Sequence, residues 1–173
     1  MRKKLGVVLA MMLVGCAILA TRFYEVDLAV WNFLGRGGGP DPATLHLQGE
    51  FVESNLGLAD DASGSLIVRM VAEQYLFVPH CIVVPAGVPV HFRITSADTA
   101  HMLSFLGTSY GLKAVPETVT EATFTFPRPG EFKVPCHEFC GPGHYTMRST
   151  LHVVSRDQFP PLQPAERRTC EPQ

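Results

Sequence analysis

A chain of 173 residues has room for one domain of ordinary size, with residues to spare for an anchor and tails. Its 14 Lys and Arg against 16 Asp and Glu give a formal charge of -2, without the clustered basic face that nucleic acid requires. No glycine fingerprint follows a strand-like run, which excludes an enzyme that cradles nucleotide phosphates.

Residues 1–24 read as a membrane anchor. Arg2, Lys3 and Lys4 precede the 16-residue apolar run from Leu5 to Ala20. That run is slightly short of the roughly 20 residues that span a bilayer. Thr21 extends it, Arg22 can snorkel, and Phe23 and Tyr24 suit the interface. The basic start stays in the cytoplasm, so the remainder is expected outside. Two readings compete: a cleaved signal peptide, for which 17–21 offers a mediocre site, and a lipoprotein box at Leu13-Val14-Gly15-Cys16. Against the lipoprotein, the chain stays apolar after Cys16. All three deliver the domain to the same side of the membrane.

Residues 25–64 read as a linker that packs on a partner or on the domain's edge. Glycine and proline crowd 35–42, a flexible joint, and 43–58 carries Leu45, Leu47, Phe51, Val52 and Leu56 without a clean period. The apolar side chains of 43–58, with the anchor, are the expected contacts with a membrane partner.

From residue 65 the pattern changes to short runs rich in Val, Ile, Thr and Phe: SLIVRMVA, CIVVPAG, VPVHFRITS, TEATFTF, EFKVP and STLHVV. Pro, Gly, Asp and Ser punctuate them at the spacing of an all-β sandwich or barrel. Val88, Val90, Phe92 and Ile94 alternate with His91 and Arg93, so the two sets face opposite sides of one strand. The β-domain is expected over 65–155. Residues 156–173, polar and proline-rich, read as a disordered tail.

The chemistry concentrates in VPCHEFCGPGHYTM, residues 134–147. EFKVP leads in and STLHVV leads out, so this is a ligand-rich loop at one end of a rigid sandwich. Methionine is a poor zinc ligand, whereas thiolate, imidazole and thioether together select copper. Cys140, His144 and Met147 alone have the spacing of a blue-copper loop, and His101 supplies an upstream imidazole. A mononuclear centre has no use for Cys136. Two thiolates four positions apart can instead bridge two copper ions.

The run from Cys136 to Met147 resembles the binuclear copper-A motif of cytochrome c oxidase subunit II. ITSADTAHMLSF resembles that family's upstream ligand segment, and TFPRPGEFKVPC the strand before its loop. The resemblance covers residues 65–154. It implies a cupredoxin-like Greek-key sandwich with one N-terminal transmembrane helix, on the outer face of a bacterial inner membrane. It further implies bridging thiolates at Cys136 and Cys140, imidazole ligands at His101 and His144, a thioether ligand at Met147, and Glu138 binding through its backbone carbonyl. In some members the carboxylate at the Glu138 position also binds magnesium shared with subunit I. The implied partners are haem–copper oxidase subunit I and a donor, cytochrome c or another small redox protein. The usual subunit II begins with two helices, so this chain resembles the short single-helix form.

Tyr75, with Phe77 in reserve, lies where short forms place the surface aromatic that accepts electrons. Over 65–154 six acidic residues balance six basic ones, which argues for apolar rather than strongly steered docking of the donor. Blander readings stand beside these. Cys136 and Cys140 could form a structural disulfide, His101 could be an ordinary strand histidine, and Tyr75 a strand aromatic. His91 and His152 are expected to face solvent. Cys81 and Cys170 stay unassigned, because spacing alone does not support a disulfide between them. The alternative function is a membrane-anchored mononuclear blue-copper carrier; a chaperone would favour a more exposed site.

Overall fold

The computed structural model describes residues 39–61 and 63–170, together with Gly15. Apart from Gly15, the expected anchor lies outside the described residues, as do residues 25–38 of the expected linker. Among the described residues no helix is long and apolar enough to cross a membrane.

The described residues form ten strands in order: β1 (Gly57–Asp60), β2 (Leu66–Glu73), β3 (Leu76–Val78), β4 (Cys81–Pro85), β5 (Pro89–Ser96), β6 (His101–Ser104), β7 (Gly111–Ala114), β8 (Thr120–Thr125), β9 (Gly130–Pro135) and β10 (Arg148–Val154). One sheet runs β1-β2-β5-β8, with β3 also paired to β2. A second runs β4-β10-β9, and β6 and β7 form a two-stranded ribbon. The β2–β5 and β4–β10 pairs are parallel; the others are antiparallel. The architecture is an all-β, cupredoxin-like sandwich.

Alternation places the core. On β5, Val90, Phe92 and Ile94 are buried while His91 and Arg93 point outward, as the period of two requires. Phe105, Phe124 and Phe126 pack edge-on or tilted around Phe92, Phe124 from the neighbouring strand β8, and Tyr110 stacks on Phe124 with centroids 4.7 Å apart. Each fully buried Phe contributes on the order of 1.5–3 kcal/mol of transfer free energy. This apolar mass holds rigid the sheet ends from which the 136–147 loop emerges.

The 43–58 segment packs on the edge of the domain, one of the two places expected for it. Leu45, Phe51 and Leu56 are buried with Val71 in a second small core against the first sheet. Its apolar side chains are thus already covered by the domain, except Leu47, which is 80% exposed. Glu50 fastens the segment electrostatically. Its carboxylate accepts hydrogen bonds from Arg69 Nε at 3.0 Å and from Arg93 Nε at 2.6 Å and Nη2 at 2.8 Å. Burial pushes the Glu50 carboxyl up, but the bonds and charges of Arg93 and Arg69 outweigh it and hold the group below its ordinary value.

The described part of the expected tail, 156–170, is not disordered. Cys170 is joined to Cys81 by a disulfide across 89 positions. Arg168 exchanges two backbone hydrogen bonds with Leu58, at 2.7 and 2.9 Å. Phe159 and Leu162 rest on the main core, and the Arg168 guanidinium lies 4.7 Å over the Phe159 ring. Polar composition makes a segment disordered only when nothing distant ties it down.

Candidate metal centre

Two chain segments meet at one end of the sandwich. β6 brings His101, and the loop between β9 and β10 brings the rest. The loop's front is stitched to β6: Cys136 forms a bridge with Leu103, and the His137 N–H donates to Met102 O at 2.8 Å. Its two ends close on each other through the Cys136 N–H donating to Met147 O at 3.0 Å. Between them a 3-10 turn over His144–Thr146 is set by the Thr146 N–H donating to Gly143 O at 3.0 Å and the Met147 N–H to His144 O at 3.1 Å.

The soft donors converge. Cys136 Sγ lies 3.9 Å from His101 Nδ1 and 3.2 Å from Glu138 O. Cys140 Sγ lies 3.5 Å from His144 Nδ1 and 3.7 Å from Met147 Sδ. Donor atoms of His101, Cys136 and Cys140 all fall within 4.8 Å of one another. Cys136 and Cys140 are free thiols, not a disulfide. His101, Cys136, Cys140 and Met147 are buried, and His144 is half-buried. Burial pushes the Cys140 thiol up to about 11, and the Cys136 sulfur beside it adds to the rise.

Residues around the donors fix their orientation. Asp98 Oδ1 lies 2.8 Å from His101 Nε2, leaving Nδ1 aimed at the sulfurs. Asp98 Oδ2 in turn accepts the Gln74 N–H at 2.6 Å. Burial raises the Asp98 carboxyl, but its bonds from His101, Gln74 and Thr99 hold it below its ordinary value. The Gln74 side-chain amide donates to the Cys140 carbonyl, so this one residue braces both ligand segments. Tyr75 packs beneath the loop, where a Cβ at Gly141 would meet Tyr75 Oη at 2.7 Å and one at Gly143 would collide with the ring. Gly141 also has φ +131°, a conformation that side chains disfavour.

All six ligand candidates therefore meet at one place. The two aromatic candidates part company: Tyr75 is half-buried against the loop, whereas Phe77 is fully buried, edge-on to His101 at 6.4 Å, and cannot be a surface contact. The exposed aromatics of the site are Phe139 (78%) and Tyr145 (83%), which sequence reasoning did not single out. Phe139 lies 5.7 Å from the His144 ring. Asp98 and Gln74 were also missed. For Asp98 the signal was its place three residues before His101; for Gln74 there was none.

The pattern of the family described as cytochrome C oxidase subunit II, periplasmic domain, matches residues 64–154, more than half of the chain. A cytochrome c oxidase subunit 2 of Thermus thermophilus is 31% identical over 113 residues, 65% of this chain and 84% of that one. A second cytochrome c oxidase subunit 2, also from Thermus thermophilus, is 31% identical over 113 residues, 65% of this chain and 67% of that one. A chain from a cryo-EM structure of a heme-copper terminal oxidase dimer superposes with a TM-score of 0.51 at 25% identity, covering 89% of this chain and 100% of that one.

Proposed function

The chain belongs to the cytochrome c oxidase subunit II family, and from that premise we propose that it receives electrons for a haem–copper oxidase at a binuclear copper-A centre. The observation that carries the reading is the pair of buried free thiols, each with its own imidazole and one weaker donor beside it. Cys136 and Cys140 would bridge two copper ions. His101 and the Glu138 carbonyl flank one side of the pair, and His144 and Met147 the other. When bound, such a pair supplies a one-electron relay between an external donor, cytochrome c or another small redox protein, and the haem of subunit I.

The chain's own residues prepare that site. Asp98 and Gln74 fix His101 and the Cys140 backbone before metal arrives, so little rearrangement is needed. Leu103, Phe77 and the buried Met147 exclude water from the thiols. Phe139 and Tyr145 give the loop's surface the apolar character that suits a donor or subunit I without strong charge steering. The N-terminal run would anchor the chain with this domain on the periplasmic side.

At Glu138 the carboxylate is solvent-accessible and lies 3.4 Å from Lys113 Nζ, an exposed pair that magnesium shared with subunit I would displace at little cost. A mononuclear blue-copper carrier is disfavoured because Cys136, only 4% exposed, sits among the donors with no other role.

The test is copper content and electron paramagnetic resonance of the full chain in detergent. About two coppers per chain, with hyperfine splitting from one electron shared by both nuclei, supports the relay. About one copper with single-nucleus splitting overturns it.

A further inference from the structure

Cys81, His152 and Cys170 form a second group of soft donors outside the copper loop. One ligand atom from each lies within 4.8 Å of the other two. Strand register explains the grouping. In the parallel β4–β10 pair, Cys81 stands opposite Thr150 and Val83 opposite His152. The buried partners Leu151–Ile82 and Val153–Val84 face the core, so Cys81 and His152 lie diagonally on the other face. Residues 156–170 then carry Cys170 across to them.

The disulfide is not all that holds these donors together. The Cys170 N–H donates to Cys81 O at 3.3 Å, and Arg168 is bonded through its backbone to Leu58 in both directions. The Phe159 and Leu162 side chains are packed on the core. Opening the sulfur–sulfur bond therefore leaves the backbone that positions Cys170 still attached.

We propose that Cys81, Cys170 and His152 are a redox-gated copper(I) site, closed as the disulfide and opened by reduction. The electrons and protons balance simply. A dithiol reductant gives two electrons and two protons to the disulfide, becoming a disulfide itself and leaving Cys81 and Cys170 as thiols. Copper(I) then binds the two sulfurs and the His152 imidazole, and the thiol protons pass to solvent. Two sulfurs and one nitrogen are a soft, three-coordinate set. That suits copper(I) better than zinc, which takes four ligands in a closed site. The second site does not depend on the function proposed above.

The experiment removes the copper loop from the measurement. The full chain in detergent carries Cys16→Ser, Cys136→Ser and Cys140→Ser, so Cys81 and Cys170 are the remaining thiols. One half is kept oxidised. The other is reduced with dithiothreitol and desalted without oxygen. Copper(I) is then titrated against a chromogenic chelator, and the bound metal is read by X-ray absorption. Expected are about one copper(I) per reduced chain and none per oxidised chain, with a mixed sulfur and nitrogen shell. His152→Ala should remove the nitrogen scatterer and weaken binding; circular dichroism of the same samples confirms that the sheet is intact. Equal copper in the oxidised and reduced chains, or an unchanged shell in His152→Ala, overturns the proposal. Failure here leaves the copper-pair result untouched, because that pair's cysteines are absent.

Discussion

Asp98 Oδ1 and His101 Nε2 stand 2.8 Å apart, and the opposite ring nitrogen of the fully buried His101 points toward Cys136 Sγ. A carboxylate on one imidazole nitrogen fixes which nitrogen is left to bind metal and in which direction it points. Asp98→Ala removes both effects and is expected to lower copper affinity by about 10–100-fold. Asp98→Asn keeps an acceptor and should fall between the two. Chelator competition on the three proteins checks this, and equal affinities would show that strand packing alone orients His101.

Gly143 and Tyr75 are in such close contact that a methyl group on Gly143 has no room beside the ring. Overpacking of this kind costs about 1–3 kcal/mol. Gly143→Ala should accordingly lower stability in urea and perturb the copper spectrum by moving the His144 turn. The colliding atoms belong to the ring and not to its hydroxyl, so adding Tyr75→Phe should restore nothing. Adding Tyr75→Ala should recover part of the loss. A rescue by Tyr75→Phe would mean the clash is misassigned.

These contacts mark the boundary of what the sequence could reveal. The grouping of Cys136, Cys140, His144 and Met147 was legible because soft donors crowd one loop at short spacings, His101 was legible as the partner such a loop needs, and Glu138 came from the family resemblance alone. Their supports were not. Gln74 reaches Asp98 across 24 positions and Cys140 across 66, and local pattern carries no trace of such pairings. The strong strands β2, β4, β5, β8, β9 and β10 announced themselves by β-branched and aromatic content, whereas β1, β3 and β7 have three or four residues each, too few to show a period. Tyr75 and Phe77 looked alike until β3 turned Phe77 into the core. The 156–170 strap read as disordered because composition reports local burial, and its order comes from Cys81 and Leu58.

The Cys81–Cys170 disulfide closes a loop spanning 89 positions and ties that strap to both sheets. In the chain-entropy account a loop of this size contributes about 4–5 kcal/mol, with engineered and native cases commonly lower, at about 2–5 kcal/mol. Replacing both cysteines by alanine should therefore lower the unfolding free energy by an amount within that range, seen as a lower urea midpoint. The slope with denaturant should hold or rise if the strap remains packed on Leu58 and the core in the native state, because the uncrosslinked unfolded chain exposes more surface. A fall in slope would instead mean that the strap has come away. No change in midpoint would show that the disulfide adds nothing beyond the Arg168–Leu58 bridge.

Glu50 makes stability depend on acidity in a direction that can be worked out. Its carboxylate accepts bonds from Arg69 and Arg93 and is held below the ordinary value of 4.5 in the folded state. Above 4.5 the group is ionised whether the chain is folded or not, and its full contribution is present. As pH falls through the depressed folded value, the folded state must take up the proton, and the contribution disappears. Glu50→Gln keeps the shape and removes the charge. It should cost about 1–2 kcal/mol at pH 7, the scale of charged hydrogen bonds that are partly open to solvent. Because Glu50 holds the 43–58 segment over Leu45 and Phe51, the loss should appear first as faster amide exchange in that segment. Below the depressed value the wild-type and Glu50→Gln stabilities should converge. No gap at pH 7 would mean that shape, and not charge, is what Glu50 contributes, and a gap that stays constant down through that range would mean that ionisation of this carboxylate is not its source.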